Sequence, residues 1–107
     1  TPTARLSLVS PPKADWRYPL SRPATLIGRP QGSAPVDLDL SACDPEGYVS
    51  RNHARVQRVG RRYQLTDLGS ANGTYINGYR LTPQAPYWLR HGDRIRMGQV
   101  VLAFSVR

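Results

Sequence analysis

The sequence predicts an all-β domain, a sandwich or a barrel, from three observations. Short runs rich in β-branched or aromatic residues recur along the chain, each bounded by Gly, Pro, Asn, Asp or Ser. Turn signals fall roughly every eight to twelve residues, the spacing of small all-β folds. No window of about eleven residues keeps an apolar i, i+3, i+4, i+7 stripe free of Pro or Gly, so no substantial helix is expected. At 107 residues the chain has room for one core.

Taken in order, residues 1–4 read as a lead-in from a longer protein, since Thr1 is not an initiator Met, and residues 5–106 as the domain. Arg5-Leu6-Ser7-Leu8-Val9 alternates polar and apolar with period two, the mark of a half-buried strand. Pro11-Pro12 reads as a loop. Further strands are expected at Trp16 to Leu20, Ala24 to Ile27, Val36 to Leu40, Ala54 to Val59, Arg62 to Asp67, Thr74 to Ile76, Tyr79 to Leu81, Arg94 to Met97 and Val100 to Val106. Asn77-Gly78 predicts a type I′ hairpin, because both central residues tolerate positive φ, and Gly60-Arg61 predicts a second reversal. Counting along that second hairpin places residues 50–53 and 69–73 at the same end of the fold. The stretch from Ser33 to Val49 is too irregular to count through, so the loop after Gly28 stays unplaced.

Composition excludes several functions. Cys43 stands alone and the only histidines are His53 and His91, which leaves no disulfide framework and no closed zinc site. No apolar run approaches the roughly 20 residues a bilayer crossing needs. No metal or cofactor is expected, and the single Cys suits a cytoplasmic setting, alone or as part of a larger protein. Lys plus Arg number 15 against 7 Asp plus Glu, a formal charge of +8, and only Lys13 among the bases is not Arg. Guanidinium forks favour bidentate recognition of phosphate or carboxylate; genomic base composition gives the same excess with no functional meaning.

Ser50-Arg51-Asn52-His53 and Ser70-Ala71-Asn72-Gly73-Thr74 are dense in short hydrogen-bonding groups and surrounded by Arg. Together they can hold an oxyanion: hydroxyl, backbone N–H and guanidinium match the acceptor oxygens of a phosphate, each charge-assisted bond adding roughly 1.5 to 3 kcal/mol. Either stretch alone is as well explained by turn building.

The ordered series Gly28-Arg29, Ser50-Arg51 with His53, Asn72-Gly73-Thr74, Asn77-Gly78, Leu89 with Gly92-Asp93, and Gly98 resembles the forkhead-associated (FHA) domain over nearly the whole chain. The resemblance implies a two-sheet β-sandwich of about eleven mostly antiparallel strands, with loops at one end that bind phosphothreonine in an extended segment of a partner protein. It implies that Arg29, Ser50 and Arg51 meet the phosphate and that Asn72 bonds the peptide backbone. Gly28, His53, Gly73, Thr74 and Asn77 become structural supports of the site. Ala71 stands where many relatives carry Thr, Ser or a basic residue, so one phosphate contact is absent or comes from backbone. A niche for the threonine methyl is implied at Gly69 to Asn72. Flanking selectivity is assigned to Asp44 to Val49 and Gly98-Gln99, where Asp44 and Glu46 would disfavour an acidic neighbour. The implied partner is a phosphothreonine-containing protein or peptide, including a Ser/Thr kinase or its substrate, in bacterial kinase signalling.

Other classes fit less well. Ser50 and His53 would point to opposite faces of a continuous strand, no carboxylate is placed to orient His53, and neither phosphate-loop motif is present, which speaks against an enzyme. Nucleic acid is the less favoured partner: a basic β-domain suits a single strand, but charge alone does not specify one. A third reading keeps the scaffold and binds an unphosphorylated partner. Arg55, Arg58, Arg61 and Arg62 read as a solvated hairpin face or, more sharply, as a second protein contact. Trp16 and Trp88 read as core or loop cover.

Overall fold

The computed structural model describes residues 3–11, 17–31 and 35–106. The strands are β1 (Ala4–Ser10), β2 (Arg17–Pro19), β3 (Ala24–Gly28), β4 (Leu38–Asp39), β5 (Asn52–Val59), β6 (Arg62–Asp67), β7 (Thr74–Ile76), β8 (Tyr79–Arg80), β9 (Pro86–Trp88), β10 (Arg94–Met97) and β11 (Val100–Val106), with one 3-10 turn at Ser41–Cys43. They form a six-stranded sheet in the order β2-β1-β11-β10-β7-β8 and a five-stranded sheet in the order β4-β3-β5-β6-β9. Every described pairing is antiparallel except β3 with β4. The expected two-sheet sandwich is therefore present.

Alternation explains the strands. In β11 Val100, Leu102 and Phe104 are buried, with half-buried residues between them; in β10 Ile95 and Met97 face in and Arg94 and Arg96 face out. The inner faces meet where the Tyr63 and Phe104 rings pack edge to face at 5.6 Å. That geometry adds about 0.5 to 1.5 kcal/mol beyond the area both rings bury. Asn77 and Gly78 take φ of 50° and 86° in the β7–β8 hairpin, as a type I′ turn requires. Gly60, at φ 64°, reverses β5 into β6 with Val59 opposite Arg62.

Several elements differ from the sequence reading. β9 is a strand at a stretch where no strand was expected and Trp88 was read as core or loop cover; it is three residues long and opens with Pro, which erases its pattern. Only Leu38–Asp39 of the expected Val36 to Leu40 run pairs. β5 begins two residues early, at Asn52, because of an irregularity: Ile27 faces Ala54 but Gly28 faces Asn52, so His53 is an extra residue in the ladder. The bulge lets His53 and Ala54, adjacent in sequence, both be buried. Trp16 lies outside the described residues. Trp88 is 42% exposed, on the outer side of β9 rather than in the core.

Candidate functional site

At the end of β3 the chain passes unusually close to the loop before β5. A Cβ built on Gly28 would stand 1.8 Å from Arg51 O and 2.8 Å from Ser50 O, so only glycine fits. This approach lets Arg29 N donate to both Ser50 O (3.2 Å) and Arg51 O (3.0 Å), which fixes the third loop at the same end as the other two. Arg29, Pro30, Gln31, Val49, Ser50, Arg51 and Asn52 then line one open cleft of about 600 Å³.

Two buried side chains hold the Ser50 loop. His53 is fully buried. Its Nδ1 accepts from Ser50 N at 2.9 Å, so the ring proton sits on Nε2, which donates to Gly73 O at 2.9 Å. One imidazole thereby ties the loop before β5 to the loop before β7. Burial pushes its pKa below the ordinary value, opposed by the bond to Gly73 and by the Asp67 and Asp44 charges. Asp44 caps the other side: its Oδ1 accepts from Tyr48 N at 3.0 Å and its Oδ2 from Val49 N at 2.9 Å. The same Oδ2 lies 3.9 Å from Arg29 Nε, whose guanidinium occupies the space that Gly47, at φ 74°, leaves open. The expectation that Asp44 repels acidic ligand residues is therefore corrected: it is 4% exposed, committed to loop N–H groups and facing Arg29. Glu46 remains exposed and accepts from the Tyr48 hydroxyl.

The Asn72 loop is organised by Asp67. Its Oδ2 accepts from Gly69 N and Ser70 N, and its Oδ1 from Ser70 Oγ and Thr74 Oγ1. Burial raises the Asp67 pKa, but the bonds from Ser70, Thr74 and Gly69 outweigh it and leave the carboxyl below its ordinary value. Gly73 takes φ 85° beside Arg80, and a Cβ there would meet Arg80 Nε at 2.7 Å. Ala71 N donates to Ser50 Oγ at 3.0 Å, which joins the two loops and leaves the Ser50 hydroxyl hydrogen for a ligand. The Ala71 amide is thus occupied in orienting Ser50. Asn72 Nδ2 donates to Tyr48 O at 2.9 Å, leaving its Oδ1 and second amide hydrogen. Asn72 also borders a smaller cleft of about 260 Å³ with Tyr48, Arg96, Gly98 and Gln99.

Of the residues expected in the site, Arg29, Ser50 and Arg51 line one cleft, Ala71 is joined to it through the Ser50 hydroxyl and Asn72 borders the smaller cleft, while Gly28, His53 and Gly73 hold the loops and Thr74 bonds Asp67. Asn77 lies apart: it sits at the far end of β7, where its side chain bonds Asp93 and Arg94 N. Sequence reasoning missed Asp67 and assigned Asp44 the wrong task. The signal for Asp67 was its place two and three residues before Gly69 and Ser70, the spacing at which a carboxylate caps its own turn.

An FHA domain family model matches residues 25–98. The Nostoc sp. protein FraH is 39% identical over 97 residues, covering 91% of this chain and 33% of FraH. The chain spans from 12% to 58% of other curated relatives it matches. Among solved structures, Mycobacterium tuberculosis EmbR in complex with a low-affinity phosphopeptide superposes with a TM-score of 0.80 at 30% identity, over 96% of this chain and 24% of that one. A chain from a structural and functional analysis of phosphothreonine-dependent FHA domain interactions superposes with a TM-score of 0.78 at 28% identity, over 96% and 95%.

Proposed function

Since the chain belongs to the forkhead-associated domain family, we propose that it is a binding module for phosphothreonine in an extended segment of a protein partner. One observation carries this reading: the Ser50 hydroxyl, aimed by the Ala71 amide, shares an open cleft with Arg29 and Arg51. A phosphothreonine brings nearly two negative charges to that cleft. The Arg29 guanidinium and the Ser50 hydroxyl donate to its oxygens, and Arg51 adds a donor or a charge at the rim. The Ala71 amide serves Ser50 instead, so no backbone contact from residue 71 replaces the side chain that is absent there.

Asn72 fixes the register of the ligand by bonding its backbone beside the phosphothreonine. The loops at Gly69 to Asn72 take the threonine methyl. The site is preformed by His53, Asp67 and Asp44, so little ordering is required of the receptor, and a micromolar affinity, about −8 kcal/mol, is expected. The module acts by binding rather than catalysis, within residues 5–106, toward a bacterial Ser/Thr kinase or its substrate in the cytoplasm. Among the described residues no helix is long and apolar enough to cross a membrane.

The test is capture from a degenerate peptide library containing phosphothreonine, beside phosphoserine and unmodified threonine libraries. Selective retention of phosphothreonine, abolished by Arg29→Ala or Ser50→Ala, is expected. Equal retention of the three libraries, or binding that survives both substitutions, would discard the reading in favour of an unphosphorylated partner.

A further inference from the structure

The phosphate cleft leaves much of the charge unexplained. Residues 52–66 contain Arg55, Arg58, Arg61 and Arg62 and no Asp or Glu, so they carry +4 of the net +8. None of the four makes an ion pair among the described residues, where the paired arginines are Arg22 and Arg29. The Nε of Arg55 is buried with no hydrogen-bond partner. The described carboxylates lie elsewhere: Asp37, Asp39, Asp44 and Glu46 between β3 and β5, Asp67 in the core, and Asp93 before β10.

The register places Arg55 and Arg62 on one face, with exposed Arg61 in the adjoining turn, whereas Arg58 pairs with buried Tyr63 and belongs to the other side. Gln57 faces Gln64, which faces Trp88; Val59 faces Arg62 at the turn; Arg55 faces Thr66 in the next row. Directly paired residues in a sheet project to the same side, and Val56 and Leu65 between them point inward and are buried. The outer face of β5, β6 and β9 is thus a basic surface, without an ion pair among the described residues, with Val59 (43%) and Trp88 (42%) exposed on it. It runs toward the Gly60 turn, opposite the Ser50 loop. Eight strand residues at about 3.3 Å each put its far edge about 25 Å from the phosphate cleft.

We propose that this face docks an acidic, Asp- and Glu-rich segment of a protein partner, independently of phosphorylation, through carboxylate pairs with Arg55, Arg61 and Arg62. Guanidinium forks match carboxylates two bonds at a time, and an incoming carboxylate also relieves the repulsion among like charges. A single nucleic-acid strand fits less well. Such ligands need open aromatic faces for successive bases, whereas the exposed aromatic ring on this face, Trp88, is already covered by the Arg62 guanidinium at 4.1 Å.

The experiment is a titration of the isotope-labelled domain, followed by amide NMR, with an unphosphorylated peptide of alternating Asp, Glu and Gly, in parallel with its Asn/Gln counterpart and with a dT12 oligonucleotide. The acidic peptide is expected to shift the amides from Arg55 to Gln64 and the Trp88 indole while leaving Ser50 and Asn72 in place; its amide counterpart shifts nothing. Arg61→Gln and Arg62→Gln, both at exposed positions, should each weaken it about two- to fivefold without changing phosphothreonine affinity, and Arg29→Ala should do the reverse. Three results overturn the proposal: shifts confined to Ser50 and Asn72, tighter binding of dT12 to the same face, or no shifts at low salt.

Discussion

A methyl group at residue 28 would sit 1.8 Å from Arg51 O, far inside contact distance, so Gly28→Ala must push the Ser50–Arg51 backbone outward. Overpacking of this kind costs about 1 to 3 kcal/mol, and the displaced strip carries Ser50 and Arg51 of the proposed phosphate site. The variant should therefore lose both stability, read as a lower urea midpoint, and phosphothreonine affinity, by at least about tenfold; a fully active variant would show that the loop has slack. Ser50→Ala removes one charge-assisted bond and should weaken phosphopeptide about 10- to 100-fold in a calorimetric titration. The proposed contact residues Arg29, Ser50 and Asn72 were legible because the resemblance to the family rests on the motifs that contain them. Asp67 and Asp44 were not, because each acts on backbone N–H groups of its own loop, and a lone Asp in a loop looks the same whether it caps or is solvated.

The element that transmits between loops is the start of β5, where the bulge turns His53 inward. Its pKa is depressed in the folded state, whereas the unfolded chain titrates near 6.5. Below that value the unfolded state binds more protons, so the contribution of His53 is complete above pH 6.5 and is lost as pH falls toward the lower folded value. The urea midpoint should drop between pH 7.5 and 5, and His53→Gln should flatten that slope; an unchanged midpoint in the parent would refute the buried neutral imidazole. Asp67 follows the same sign in a lower window, its contribution being lost as pH falls below about 3.8. The β7–β8 hairpin is a contrasting case. Asn77→Ala sacrifices a residue suited to φ 50° and the side-chain bonds to Asp93 and Arg94, at about 1 to 2 kcal/mol. Peptide affinity should stay within twofold, because Asn77 is remote from the cleft. Hairpins were legible where turn chemistry is local. β4 was legible only as part of the longer run Val36 to Leu40, and β9 was not, since three residues that open with Pro show no period.

Taken whole, the molecule is two sheets sharing one core, and the Tyr63–Phe104 contact joins them. Phe104→Ala should cost about 3 to 5 kcal/mol and lower the transition of both sheets together, with circular dichroism and tryptophan fluorescence coinciding; separate transitions would mean that the sheets unfold independently. The alternation of each strand announced two inner faces, but not which strand lies beside which. β11 pairing with β1 spans nearly the whole chain, and such distant partners leave no trace in local pattern. The gathering of three loops at one end was half legible, since hairpin counting brought residues 50 and 72 together and only the close passage at Gly28 added Arg29.

That pairing of first and last strands has a mechanical side. Ala4 lies opposite Val106 at the end of the sandwich away from Ser50, while Ser10 pairs with Val101 near the Gly98 turn that touches Tyr48. A tether drawn through residues 4 and 106 would load the β1–β11 ladder at one end only, and because antiparallel bonds lie across the strands, they would open one after another like a zipper instead of sharing the pull. Force applied through the chain would peel β1 first, and the tear would reach the binding loops last.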